Sequence, residues 1–153
     1  MADEAYRAVF LRVHPTGKMV LSLTTDADGN EPAYAELVAE ALGVPALDVK
    51  VAPADTDRFG VGHGFNTSPS AGAPAAIASA TAKIRAKGRL LAGMALEAPP
   101  ESLAWKNGAW IKGDGSDPTQ VKTVEDIALY AHGTGELPPG VEGGLDAQAV
   151  YRD

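Results

Sequence analysis

Cysteine is absent from this 153-residue chain. That gap excludes disulfides, thiolate metal sites, iron–sulfur ligation and a cysteine nucleophile. Long apolar runs are missing too: nothing approaches the ~18 consecutive apolar residues of a membrane helix, so no span is expected. Positive charge is in short supply. Thirteen Lys and Arg against twenty Asp and Glu leave a net charge of −7, which argues against nucleic acid, because phosphate binding needs a Lys/Arg-rich surface. The first residues, Met1-Ala2-Asp3-Glu4, are acidic where a secretory or mitochondrial signal is basic, so the cytoplasm is the expected compartment. Aromatics are scarce, at 6%, while alanine and glycine are abundant. Such residues let helices approach their neighbours closely, although each buries little area.

What is present reads as one α+β domain spanning 1–153, a length that allows a real core. Ala8–Val13 and Met19–Leu23 are short apolar runs joined by His14-Pro15-Thr16-Gly17-Lys18, which is turn chemistry and predicts a hairpin. A first helix is expected from Pro32 to Leu42, with Gly43 as its C-terminal cap. Its buried stripe is expected to be Tyr34, Leu37, Val38 and Ala41. Asp48–Ala52 alternates like a strand. A second, long helix is expected from Ala73 or Pro74 to Leu96, with Ile77, Ile84 and Leu91 repeating every seven residues and Ala73 and Ala80 beside them. Gly88 and Gly93 weaken that helix by ~1 kcal/mol each relative to alanine, so it needs burial against something. Lys106-Asn107-Gly108-Ala109 between Trp105 and Trp110 predicts a second hairpin. Thr123, with Asp126 three residues on, reads as a helix N-cap, and that helix should end by His132-Gly133. Leu145–Tyr151 alternates like a strand that needs a pairing partner. The fold expected is two main helices packed on short, mostly antiparallel strands and hairpins.

The candidate chemistry lies between Asp26 and Ser70. Asp26-Ala27-Asp28-Gly29-Asn30-Glu31 opens the first helix, and the Gly- and Ser-rich stretch from Phe59 to Ser70 leads into the second. Two such loops ending at helix N-termini suit an anionic cofactor held by backbone N–H groups. The Gly60–Gly64 run is G-x-G-x-G, with neither the Rossmann spacing nor a Walker lysine, so a dinucleotide fingerprint and a P-loop are disfavoured. By glycine content alone, a flexible loop is the competing reading. His63 could serve as a base with Asp55 or Asp57 orienting it and Ser68 or Ser70 as nucleophile, a small-hydrolase alternative that lacks a G-x-S-x-G elbow. The Asp26, Asp28, Asn30 series starts like a calcium loop, but its glycine and glutamate are misplaced, and helix capping accounts for it better. No metal ligands and no catalytic residue are assigned. Lys83, Arg85, Lys87 and Arg89 cluster on the long helix and read either as a solvated face or as a docking edge for an acidic partner subunit.

Several segments, in order along the chain, resemble the molybdenum hydroxylase (xanthine dehydrogenase/aldehyde oxidase) family, most nearly its carbon monoxide dehydrogenase large-subunit branch. Arg12–Lys18 is similar to the branch's R-[IV]-H-P-T-G turn, and Glu36–Pro45 to a helix end of the form A-[DES]-E-L-G-[IV]-P. Asp55-Thr56-Asp57 matches its D-T-D, Ala75–Ile77 and Lys83–Lys87 its long helix, and Pro139–Ala147 its L-E-P-G-L-E-A tail. The resemblance implies an internal segment of the molybdopterin-binding part of an oxidoreductase, working in a complex with other subunits. It also implies molybdopterin cytosine dinucleotide as cofactor, touched by a G-Q-G-H-E-T loop and a G-T-[YF]-[GA]-S-R-S loop. Carried onto this chain, the contacts fall on Asp28, Gly29 and Asn30, and on Phe65, Thr67 and Ser68. Asp28 replaces the family's glutamine and Pro69 its arginine, and both changes weaken anion binding. A non-catalytic scaffold or assembly subunit with degenerate loops is the alternative these departures favour. The family's active-site glutamate and the glycine loop near molybdenum have no counterpart, so the chain is not expected to be competent alone.

Overall fold

The computed structural model describes residues 8–24, 30–52, 72–133, 137, 141 and 143–150. Strands β1 (Ala8–Val13) and β2 (Met19–Leu23) pair antiparallel, with Leu11 opposite Leu21. Their turn closes through the His14 N–H donating to the Lys18 carbonyl at 2.8 Å, with Gly17 at φ 90°. Helix α1 (Glu31–Leu42) follows, then a 3-10 turn over Ala46–Asp48 and strand β3 (Val49–Ala52). The long helix α2 runs Ala73–Leu96. Strands β4 (Ala104–Lys106) and β5 (Ala109–Ile111) form the Asn-Gly hairpin, β6 is Val121–Thr123, helix α3 is Val124–His132, and β7 is Leu145–Val150.

Two sheets result. One has strand order β3-β2-β1-β7, antiparallel except for the parallel β2–β3 pair; the other is the antiparallel β4-β5-β6. Period-two alternation puts Val9, Leu11, Val13, Met19, Leu21, Leu23, Leu145 and Ala149 on one face of the first sheet, all buried. Phe10, Arg12 and Val20 point to the other face and are exposed. The helices cover the buried face, so the architecture is the expected α+β. The third helix, α3, packs on α2 and joins the same layer.

Helix α1 departs from expectation on its buried side. Tyr34, Ala35, Val38, Ala39 and Leu42 are buried, whereas Leu37 is 37% exposed. The helix lies against both α2 and β3, and the stripe is rotated so that the two alanines face these neighbours. Small side chains win the contact because they admit the closer approach. Its C-terminus is as expected: Gly43 takes φ 67° and donates to the Ala39 carbonyl. The strand after it is one residue shorter than predicted, because Asp48 closes the 3-10 turn and pairs with Lys18 at 2.6 Å.

The burial that α2 requires is met on two sides. Ile77, Ile84 and Leu91 are fully buried, each contributing about 1.5–3 kcal/mol. Gly88 faces the hairpin: a methyl group built there would overlap the Trp110 ring, which is itself fully buried. Trp110 stands opposite Trp105 in the β4–β5 register, with ring centroids 4.7 Å apart. Asn107 and Gly108 at φ 52° and 77° make the tight primed turn that the Asn-Gly pair predicts. Thr123 and Asp126 form a complete capping box at the start of α3, and Gly133 ends it.

Helix propensity alone says that Gly88→Ala stabilises the protein by ~1 kcal/mol. The packing says the opposite, since displacing a buried indole costs roughly 1–3 kcal/mol. Thermal unfolding followed by circular dichroism is expected to show a lower Tm for Gly88→Ala; an unchanged or higher Tm would mean that Trp110 is not seated against this glycine.

Candidate functional site

The parallel pair decides where the candidate site lies. Met19 is opposite Val49 and Ser22 opposite Ala52, so β2 and β3 finish at the same end of the sheet. The chain leaves β2 at Leu23 and enters α1 at Glu31; it leaves β3 at Ala52 and enters α2 at Ala73. Helix α1 connects two parallel neighbouring strands, so it starts where β2 ends and runs back to where β3 begins. The direction of α2 follows from its contacts. Lys83 Nζ donates to the Gln148 carbonyl at 2.7 Å, near the end of β7, whose last residue Val150 is opposite Ala8. Five residues later, Gly88 lies against the hairpin whose turn packs on Gly43, at the C-terminus of α1. Both helices therefore begin at the end of the sheet where β2 and β3 finish.

In open sheets, ligands gather outside the carboxyl ends of parallel strands. Helix N-termini add unpaired N–H groups and partial positive charge there. The caps sharpen the point. Asn30, at φ −90° and ψ 7°, makes no side-chain cap, and only its carbonyl engages, accepting from the Tyr34 N–H at 2.9 Å. Gly72 has no side chain to offer, and its carbonyl accepts from the Ala76 N–H at 3.0 Å. Pro32 and Pro74 each remove one donor from a first turn, but no side chain caps the others among the described residues. Helix α3, away from this end, is fully capped by its own Thr123 and Asp126. Among the described residues, the two helices fed by the glycine-bearing loops are the ones without a side-chain cap.

Three further side chains shape this end. Thr24, 2% exposed, locks the edge of the sheet: its Oγ1 accepts from the Ala8 N–H at 2.8 Å, and its own N–H donates to the Ala8 carbonyl. Glu31, the first residue of α1, has one carboxylate oxygen buried without a hydrogen-bond partner among the described residues. Tyr34 in the same turn is buried, and desolvation pushes its phenol above the ordinary tyrosine range.

Of the site residues read from the sequence, Asn30 is placed at the α1 N-cap. Asp28, Gly29, Phe65, Thr67 and Ser68 lie outside the described residues, as do His63, Asp55, Asp57 and Ser70 of the hydrolase alternative. No group of three or more His, Asp or Glu residues suited to a metal occurs among the described residues. Sequence reasoning passed over Gly72, and weighed Glu31 only as a flank of the helix start and in the rejected calcium set with Asp26, Asp28 and Asn30. Gly72-Ala73-Pro74 carries a readable signal, namely a helix start with no Ser, Thr, Asp or Asn in the capping position.

Comparison with known proteins agrees with this architecture. Residues 2–153 match the family model of the molybdopterin cofactor-binding domain, and the chain belongs to that family. Within it, the chain is 37% identical over 147 residues to the carbon monoxide dehydrogenase large chain of Hydrogenophaga pseudoflava and 33% identical to that of Afipia carboxidovorans. It spans about 17% of the length of each of these relatives, and they cover 92% of it. Among solved structures, reconstituted CO dehydrogenase from Oligotropha carboxidovorans superposes with a TM-score of 0.78 at 30% identity, over 96% of this chain and 18% of that one. Quinoline 2-oxidoreductase from Pseudomonas putida 86 gives 0.71 at 27% identity, over 95% and 19%. The resemblance read from the sequence, to an internal segment of a molybdenum hydroxylase, is therefore sound.

Tyr34 yields a test of packing at this end. A tyrosine held neutral by burial contributes fully below the unfolded-state pKa of about 10 and loses that contribution as pH rises toward the raised folded-state value. Urea midpoints measured from neutral to alkaline pH are expected to fall above about pH 10, and the fall should be shallower in Tyr34→Phe. Parallel curves for the two proteins would show that Tyr34 is solvated.

Proposed function

We propose that this chain forms one wall of the molybdopterin site in a molybdenum hydroxylase-type oxidoreductase, and that other subunits of a cytoplasmic complex complete it. The observation that carries the reading is that two helices, α1 and α2, start at the end of the sheet where the parallel strands finish, with no side-chain cap on either among the described residues. The N–H groups of a helix's first turn suit the phosphates of molybdopterin cytosine dinucleotide. The orphaned Glu31 oxygen fits an amino donor of a pterin or cytosine ring, and would be costly against a phosphate. Asp28, Gly29 and Asn30 on one loop, with Phe65, Thr67 and Ser68 on the other, are the proposed contacts, as the family pattern implies. When bound, the cofactor supplies the redox chemistry. This chain's own residues bind and orient it and keep water from one side, and none of them is proposed as a catalytic residue. The relatives' names specify carbon monoxide; nothing in this segment is proposed to select a substrate.

A second reading has a specific observation behind it. Asp28 stands where the family has glutamine and Pro69 where it has arginine, so one loop gains a negative charge and the other loses a bidentate phosphate donor. A scaffold that keeps the fold and has lost the cofactor fits these two positions.

Molybdenum and pterin analysis separates the two. The chain purified under mild conditions by itself is expected to carry neither. Purified together with the products of neighbouring genes, it is expected to carry both in a fixed ratio. Absence from both preparations would leave the scaffold. In the loaded assembly, Asp28→Gln is expected to raise cofactor retention; an unchanged content would remove Asp28 from the site.

A further inference from the structure

Helix α2 holds an unusual charge distribution for so acidic a chain. Between Asp57 and Glu97 there is no Asp or Glu at all, and Lys83, Arg85, Lys87 and Arg89 all fall on this one helix. Intrahelical pairing, the ordinary way to support an exposed basic helix, is therefore impossible. Lys83 is engaged with the Gln148 carbonyl. Arg85 and Arg89 have no carboxylate partner among the described residues, where the ion pairs are Arg12–Asp146 and Lys18–Asp48.

The two arginines border a groove. Ala82, Arg85, Ala86 and Arg89 share one face of α2 at helical spacing, and with Trp105 and Trp110 they line a space of about 350 Å³. Leu90, 42% exposed, and Met94, 38% exposed, continue the apolar surface along the helix. Among the described lining side chains the charged groups are two guanidinium forks, both donors, with no carboxylate. Trp110 lies beneath this surface and presents no donor to it. The Trp110 N–H is buried with no acceptor among the described residues, in a side chain that is fully buried.

We propose that this groove docks an acidic segment of a partner polypeptide, its carboxylates on Arg85 and Arg89 and its apolar side chains over Ala82, Ala86 and the half-buried Trp105. The shape and chemistry favour a peptide over a small anion. The alanines leave room for a backbone or an apolar side chain, the tryptophans give an apolar floor, and planar guanidinium groups pair bidentately with carboxylates. Charge complementarity gives the partner its sign: against a background of −7, α2 is a local cation of four charges. This surface is separate from the helix starts assigned to the cofactor, and its occupancy is read without molybdenum.

Both tryptophans of the chain line the groove, so intrinsic fluorescence reports on it directly. The full-length protein is titrated with a synthetic peptide alternating glutamate and leucine, with the same peptide carrying glutamine for glutamate, and with sodium phosphate alone. The glutamate peptide is expected to give a saturable change in emission that weakens strongly by about 0.5 M NaCl. The glutamine peptide should bind at least about tenfold more weakly, and phosphate should give no change at matched concentration. The double variant Arg85→Gln, Arg89→Gln should lose the response, while Lys50→Gln, on the opposite face of the sheet, should keep it. Equal binding of the two peptides, the same response to phosphate alone, or full binding by a folded double variant would each overturn the proposal. The peptide and salt comparisons use the unaltered protein, so they decide the matter even if the double variant fails to fold.

Discussion

The seating of Trp110 against Gly88 is the contact on which the rest of the molecule depends. It is where the second sheet meets the long helix, and it lets a helix weakened by two glycines exist at all. Any side chain at position 88 would hold the hairpin away from α2. The same hairpin reaches α1 through its turn, because Gly108 packs on Gly43, where a side chain would collide with its backbone. One short β-ribbon thus fixes the C-terminal end of α1 and the second half of α2 together. With those ends tied, the two helix starts are left at the opposite end of the sheet, side by side with the ends of β2 and β3. Packing in one place sets the geometry of the candidate site in another.

At that end, no side chain among the described residues caps either helix. A helix can satisfy its first N–H groups with its own sequence, and α3 does so through Thr123 and Asp126. Helices α1 and α2 are entered instead by Asn30 and Gly72, neither of which caps with a side chain, and each carries a proline in the first turn. A missing cap costs about 1 kcal/mol per helix, a loss that an anion bound there would offset. The family membership and the helix starts without a side-chain cap point the same way, although they are independent observations.

Much of this was legible in the sequence. Turn and cap residues carry local rules, so the two hairpins, the ends of α1, α2 and α3, and the capping box at Thr123 follow from Pro15-Thr16-Gly17, Asn107-Gly108, Gly43 and Thr123–Asp126. The heptad of Ile77, Ile84 and Leu91 gave the buried side of α2 because large side chains dominate it. The side of α1 was misread for the converse reason. Where two elements approach closely, alanine outcompetes leucine, and a hydrophobicity pattern ranks them the wrong way round, as Ala35 and Leu37 illustrate. The parallel pairing of β2 with β3 is nonlocal, and no residue announces it. The candidate loops were legible from their glycines and their place before two helices, but their individual contacts only through resemblance to a family, and of those contacts Asn30 alone lies among the described residues. The docking groove is intermediate: the basic cluster is visible in the sequence, but the hairpin that completes it with two tryptophans is brought there by the fold.

The central claim is that the starts of α1 and α2 act as one anion-binding end of the molecule. Amide hydrogen exchange in the assembled complex, with and without bound molybdopterin cytosine dinucleotide, tests it most directly. The account predicts that first-turn amides of both helices, at Glu31, Ala33 and Tyr34 and at Ala73, Ala75 and Ala76, gain protection together when the cofactor is present. Protection confined to one of the two helices, or absent from both, would contradict it.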